Sequence, residues 1–267
     1  MTQNIKSEAF FERNRVFRLD EFSAFLGAAG TNEVAYARVN HFTASGRLQK
    51  LPGSVYAVIP HDSSPQKHWI DPVVVASRSV KDAVISYHSA LQLHGHAHTA
   101  SSRVHVVTDN RIRPFRISHN QILFHSTPRF LLPDNQFLGT KELKLEQGTI
   151  RTTTIERTLI DCVRMPKYSY GLEEIVKVVP WLPELDFDFV LKYAEIIDQR
   201  RVYSALGWLF ETFESSLNPP GGFLEILKQR KANSAFYHGT SSKEPGAFIG
   251  DWNIILPLSA VRSEYSQ

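Results

Sequence analysis

Residues 31–59 read TNEVAYARVNHFTASGRLQKLPGSVYAVI, and this stretch decides the fold of the first part of the chain. Thr31 opens a helical run in which Ala35, Val39 and Phe42 recur at i, i+4 and i+7 on one side. Gly46 stops the run, and Leu48, Leu51, Val55, Ala57 and Ile59 then alternate around a Pro52-Gly53 turn, the pattern of a hairpin. A helix delivered into a short basic hairpin is the arrangement of a winged helix-turn-helix. There the helix enters the major groove of DNA while cations on the wing, here Arg47 and Lys50, meet phosphates.

The side of that helix opposite its apolar stripe carries Tyr36, Ala37, Asn40, His41 and Ala44, with Arg38 and Thr43 on the flanks. Asparagine and arginine make bidentate contacts to base edges, and small alanines let the backbone lie close to the groove floor. The candidate DNA-binding set is therefore Thr31, Asn32, Tyr36, Arg38, Asn40, His41, Thr43, Arg47 and Lys50. The same side chains would equally keep a surface helix solvated, and a winged helix also serves as a protein-docking unit.

Upstream, residues 5–13 read as a short helix and 16–19 as an extended piece. Asp20 is the expected N-cap of a second helix that turns Phe22, Phe25 and Leu26 inward. Residues 1–60 thus form one small unit, 61–68 a polar linker, and 69–267 a second, α+β domain. In that domain Asp71-Pro72 supplies the cap and first position of a helix, and residues 86–94 are helical. Five alternating runs, 104–108, 115–118, 121–124, 141–145 and 149–153, predict a small, mostly antiparallel sheet. Residues 154–163 return to helix with Thr154 placed to cap. A helical region follows over 172–181, 187–197, 201–215 and 223–230, and the tail from Tyr237 carries no assignable pattern.

A chain of 267 residues, 42% of them hydrophobic, can bury two cores. The single cysteine, Cys162, excludes an internal disulfide framework and fits a reducing cytoplasm; on an apolar helix face it reads as a small core residue. The first residues lack the apolar segment of a signal peptide, and no apolar run nears the roughly 20 residues of a spanning helix, so no membrane association is expected. Charge is unevenly spread. Residues 1–60 hold 7 basic and 5 acidic side chains, 61–170 hold 14 and 9, and 171–267 hold 9 and 13. The basic front favours a polyanionic partner. Arg103, Arg111, Arg113 and Arg116 cluster near the expected strands, where they either extend a phosphate-binding track or pair with the acidic tail.

Two constellations invite chemistry. His88, His94, His96 and His98 are dense in imidazole. A zinc site, however, collects four ligands, no cysteine is near, and Asp82 is the closest carboxylate. The expectation is no metal, with His88 and His94 hydrogen-bonded in a helix and His96 and His98 on a loop. Pro133-Asp134 followed by Glu142-Leu143-Lys144 mimics a nuclease core in which two carboxylates bind magnesium and a lysine assists water attack. The gap is short for strands that must lie side by side. No phosphate-cradling loop, catalytic triad pattern or dinucleotide fingerprint occurs, so neither cofactor nor catalytic residue is expected.

Three stretches resemble the AbiEi family, the antitoxin half of bacterial AbiE (type IV) toxin–antitoxin systems. They are GRLQKLPGSVYA at 46–57; SYHSALQLHG at 86–95, preceded by Asp71-Pro72 and Ala76; and TTTIERTLIDC at 152–162, followed by GLEE at 171–174. The resemblance implies a winged helix that binds inverted repeats in its own promoter and a C-terminal domain that neutralises a nucleotidyltransferase-like toxin. Tyr87, His88 and His94 match the second motif, and Thr154, Glu156, Arg157 and Asp161 the third. We read these residues as framework, with Glu156 and Arg157 anchoring polar contacts and Asp161 satisfying a buried donor. The expected protein is a DNA-binding repressor and antitoxin, not an enzyme, with double-stranded DNA and the toxin as partners. A magnesium-dependent nuclease using Asp134, Glu142 and Lys144, and a pure protein-interaction module, are the rival readings.

Overall fold

In a computed structural model, which describes residues 2–27, 32–64 and 67–263, the chain is α+β and divides into two compact units. The first comprises residues 1–85, 102–127 and 141–152; the second comprises 86–101, 128–140 and 153–267.

The first unit begins with α1 (Thr2–Arg13), β1 (Val16–Arg18), α2 (Leu19–Leu26), α3 (Asn32–Ala44), β2 (Leu48–Leu51) and β3 (Val55–Val58). Each contributes to one aromatic-rich core of Phe10, Phe11, Phe17, Phe22, Ala35, Val39, Phe42, Leu48, Tyr56 and Val58. Its rings pack at mixed angles: Phe10–Phe17 and Phe11–Phe42 meet edge to face with centroids 5.0 Å apart, while Phe11 and Phe17 stack at 5.6 Å. The three strands form an antiparallel sheet in the order β1-β3-β2. Two local expectations need correction. The N-cap of α2 is Arg18, whose backbone N–H donates to Glu21 at 2.8 Å, and not Asp20. Asp20 instead pairs with Arg18 and Lys81; against the upward push of burial, these partners hold its carboxyl at about 2. Phe25, expected inward, is 45% exposed.

The unit continues with α4 (Pro72–Arg78), β4 (Val84–Ile85), β5 (Arg103–Thr108), β6 (Phe115–Ile117), β7 (Asn120–Ser126), β8 (Thr140–Leu145) and β9 (Gly148–Thr153). Asp71 caps α4 by accepting from the Val73 N–H at 2.8 Å, with Pro72 at the first position, as the sequence predicts. The six strands lie in the order β6-β7-β5-β4-β9-β8. The sheet is mixed but mostly antiparallel, as expected: β4 pairs with β9 and β5 with β7 in parallel, β4–β5 and β6–β7 are antiparallel, and β8 and β9 neighbour each other across a two-residue turn that only an antiparallel hairpin allows. Alternation of apolar residues specifies which face is buried but carries no information on strand direction. Residues 1–60 pack in the same unit as this sheet, because α4 lies against both β1 and β5. The compact units therefore do not part at the expected 61–68 linker.

The second unit holds α5 (His88–Leu93), α6 (Ile155–Arg164), α7 (Leu172–Val178), α8 (Phe187–Ile197), α9 (Arg200–Thr212), α10 (Glu214–Leu217), α11 (Phe223–Arg230) and α12 (Leu258–Ser263). α9 is buried without interruption from Val202 to Phe210 and is packed against α6, α8 and α11. The tail that showed no pattern forms β10 (Phe236–Tyr237), β11 (Gly246–Ile249) and β12 (Ile254–Pro257), ordered β10-β12-β11. Among the described residues, no helix is long and apolar enough to cross a membrane.

Candidate nucleic-acid interface

α3 buries Ala35, Val39 and Phe42 in the aromatic core, which turns the rest of its surface outward. Asn32, Tyr36 and Asn40, spaced four residues apart, form an exposed stripe; Ala37, His41 and Ala44 are exposed beside it. Tyr36 is 49% exposed, unusual for an aromatic residue in a unit whose other rings mostly pack together. Glu33 also lies on this surface and supplies a carboxylate acceptor beside the amides. Arg38 is half-buried. Thr43 spends its hydroxyl on the Val39 carbonyl at 2.8 Å, which removes it as a base-reading donor. Thr31 lies outside the described residues. The arrangement offers amide, imidazole and phenol groups on a helix whose small alanines permit close approach.

The hairpin after α3 presents one of its two expected cations. Lys50 on β2 is exposed and has no ion pair among the described residues. Arg47 does not face outward as expected: its side chain is 10% exposed and grips the Glu8 carboxylate on α1. Its Nε lies 3.2 Å from both Glu8 oxygens and one Nη 2.6 Å from Oε2, while the other Nη donates to the Ile59 carbonyl. The Arg47 hydrogen bond, set against a smaller cost of burial, holds the Glu8 carboxyl below the usual carboxylate value. The hairpin tip is also packed. Gly53 adopts φ +78°, and a side chain there would run into Ser79 at the end of α4 and touch Phe115 of β6.

Of the four arginines of the expected phosphate track, Arg111 and Arg113 line one surface depression that Arg103 and Arg116 do not line. Arg103 on β5 and Arg116 on β6 flank Gln121 of β7 in register at one end of the sheet. Arg111 and Arg113 lie on the connection between β5 and β6. Arg113 stands only three residues before Arg116, so their Cα atoms lie within roughly 11 Å of each other.

The other motif residues hold the second unit together. His88 is fully buried, with Nε2 3.3 Å from Glu174, and His94 bonds the Thr153 carbonyl at 2.8 Å. Glu174 also accepts the backbone N–H groups of His98 and Thr99 at 2.8 Å and the Thr99 hydroxyl at 2.6 Å. Burial pushes the Glu174 carboxyl up, yet these donors outweigh it and hold it low. His96 and His98 lie on the following loop. Arg157, fully buried, donates to the Gln136 and Leu138 carbonyls and, at 3.4 Å, to Asp161. Asp161 further accepts from Arg164 and from the Tyr193 hydroxyl at 3.2 Å, and Glu156 accepts the Asp186 N–H at 3.3 Å. Thr154 occupies the N-cap of α6, but its hydroxyl makes no cap bond. Burial raises the Cys162 thiol well above its ordinary range.

Asp134 falls in the second compact unit and Glu142 and Lys144 in the first, and Glu142 pairs with Arg151 at 3.6 Å. Among the described residues, no group of three or more His, Cys, Asp or Glu side chains converges as a metal would require. Glu8, central to the observed geometry, was not singled out in the sequence, and Glu174 entered only as the last residue of the GLEE stretch, with no role assigned. Each acts through partners 39 or more residues away, which no local pattern announces.

No protein-family model matches the chain, and no curated protein matches it either. Among solved structures, the crystal structure of the RV2827C protein from Mycobacterium tuberculosis is similar, with a TM-score of 0.60. The likeness covers 98% of this chain and 94% of that one at 12% sequence identity. At that identity it speaks for a shared fold alone.

Proposed function

We propose that the protein is a DNA-binding transcriptional repressor that also serves as the antitoxin of a bacterial type IV toxin–antitoxin pair, acting in the cytoplasm. The three helices and three-stranded sheet of residues 2–58 are read as a winged helix, with α3 as its recognition helix and β2–β3 as its wing. The observation that carries this reading is the outward stripe of Asn32, Tyr36 and Asn40 on a helix whose opposite side is locked in an aromatic core. Repression works by occupancy: α3 reads base edges in operator half-sites and Lys50 meets a phosphate, so polymerase is excluded. The antitoxin role, toward a nucleotidyltransferase-like toxin, rests on the resemblance of residues 86–95 and 152–174 to the AbiEi family.

A gel-shift titration against the region upstream of the protein's own gene tests the DNA reading. Affinity falls steeply with added salt, and Lys50→Ala lowers the slope of log K against log salt by about 0.9, one phosphate contact. Asn40→Ala weakens operator binding by about 1–3 kcal/mol while leaving random-sequence affinity in place. Equal losses on both DNAs, or salt-insensitive binding, would remove α3 from the role. Toxicity relief on co-expression with the neighbouring gene product tests the second role separately.

A further inference from the structure

Away from α3, a surface depression of about 330 Å³ is lined by Asn110, Arg111, Arg113, Phe124, His125 and Ser126. Arg111 and Arg113 are exposed, and among the described residues neither has an ion pair or hydrogen bond. Two exposed guanidinium groups two residues apart give this depression a positively charged rim. The loop that carries them is fixed at its base. Asp82 accepts from the Thr108 hydroxyl at 2.6 Å, the Asp109 N–H at 2.7 Å and the Asn110 amide at 2.8 Å. His125, also in the lining, lies nearly parallel to His105, with centroids 5.1 Å apart and Nε2 2.8 Å from His105 Nδ1. His105 is 3% exposed, so a buried neighbour sets the orientation of the half-buried imidazole at the rim.

We propose that this depression binds a phosphate group. Two guanidinium forks offer several N–H donors to a tetrahedral anion, and an oriented imidazole supplies a further polar edge. That set suits three or four phosphate oxygens better than a planar carboxylate. The phosphate belongs either to a duplex backbone or to a small phosphorylated molecule, and the site stands whether or not α3 reads DNA.

The test uses the full-length protein and the Arg111→Ala/Arg113→Ala variant. Both positions are on an exposed loop, and a matching thermal melt confirms the fold. Isothermal titration with inorganic phosphate and with a nucleoside monophosphate probes the free anion; the salt dependence of duplex binding probes the backbone. The double variant binds the free anions at least 10-fold more weakly, or its duplex salt slope falls by about 2, the value for two lost phosphate contacts. The first result alone identifies a small-molecule site; a loss in the duplex slope identifies a backbone site. Arg111→Lys/Arg113→Lys restores part of whichever signal is lost. If the wild type and the alanine variant are indistinguishable in both measurements, including by showing no binding in either, the proposal is overturned.

Discussion

Arg47 shows how a residue's type and its role come apart. In the sequence it stands beside a turn, three residues from Lys50, and reads as a wing cation. In the fold it closes the N-terminal unit by tying β2 to α1 through Glu8 and to the end of the hairpin through Ile59. Nothing local to Arg47 encodes a partner 39 positions earlier. Arg47→Ala is therefore expected to reduce stability by about 1–2 kcal/mol, from charge-assisted bonds and a buried stem lost together. Glu8→Gln costs less, about 1 kcal/mol, because the Glu8 side chain is 33% exposed and solvent screens the pair. The Glu8 carboxyl is held below its unfolded value, so its ionised form stabilises the fold above the unfolded value, near pH 4.3. That contribution is lost as pH falls through the lower, folded value. Urea unfolding at pH 7 and pH 3 checks this: the gap between wild type and Glu8→Gln closes at pH 3. A gap of equal size at both would show that the pair's charge contributes nothing.

At the scale of elements, legibility followed the strength of the local signal. The helix at Phe223–Arg230 sits where its apolar spacing places it, and α4 starts where the Asp71 cap and Pro72 place it. The long helix expected over 201–215 instead breaks at Phe213, which leaves the helical region at φ −110°. The tail strands run only two to four residues, too short for alternation to register. Gly207 marks the opposite case, a residue that looks like a flaw in α9 and is required by packing. A methyl group at Gly207 would overlap the ring of Trp252, which is fully buried and anchored by Nε1 on Glu211 at 2.6 Å. Alanine gains at most about 1 kcal/mol in helix propensity, whereas forcing atoms into a filled core costs about 1–3 kcal/mol. Gly207→Ala is thus expected to lower stability by up to about 2 kcal/mol and to shift tryptophan fluorescence. An increase in melting temperature would mean that the core around Trp252 has room.

At the scale of the molecule, the sequence identified the N-terminal elements but not how far their unit extends. The aromatic core of residues 10–58 is self-contained, which is why those elements could be read from alternation and helical period alone. Val16, Leu51, Val55 and Ala57 are buried as well, yet belong to no part of that core. β3 is buried at all four positions, as a strand covered on both faces must be, and α4 packs against its neighbour β1. The second cover is thus supplied from beyond residue 60, by segments the sequence assigns to another domain. A fragment of residues 1–60 would expose these four side chains, forfeiting roughly 1.5–3 kcal/mol for each of Val16, Leu51 and Val55 fully uncovered and about 0.8 kcal/mol for Ala57. A 60-residue unit has little stability in reserve. The fragment is expected to unfold at markedly lower urea than the full chain, to bind a hydrophobic dye, and to self-associate on gel filtration. Cooperative unfolding of a monomeric fragment at the full chain's midpoint would show that the first sixty residues are autonomous. In the expected outcome, the first sixty residues need segments beyond residue 60 to fold, and any loss of the proposed DNA binding in the fragment reports lost folding.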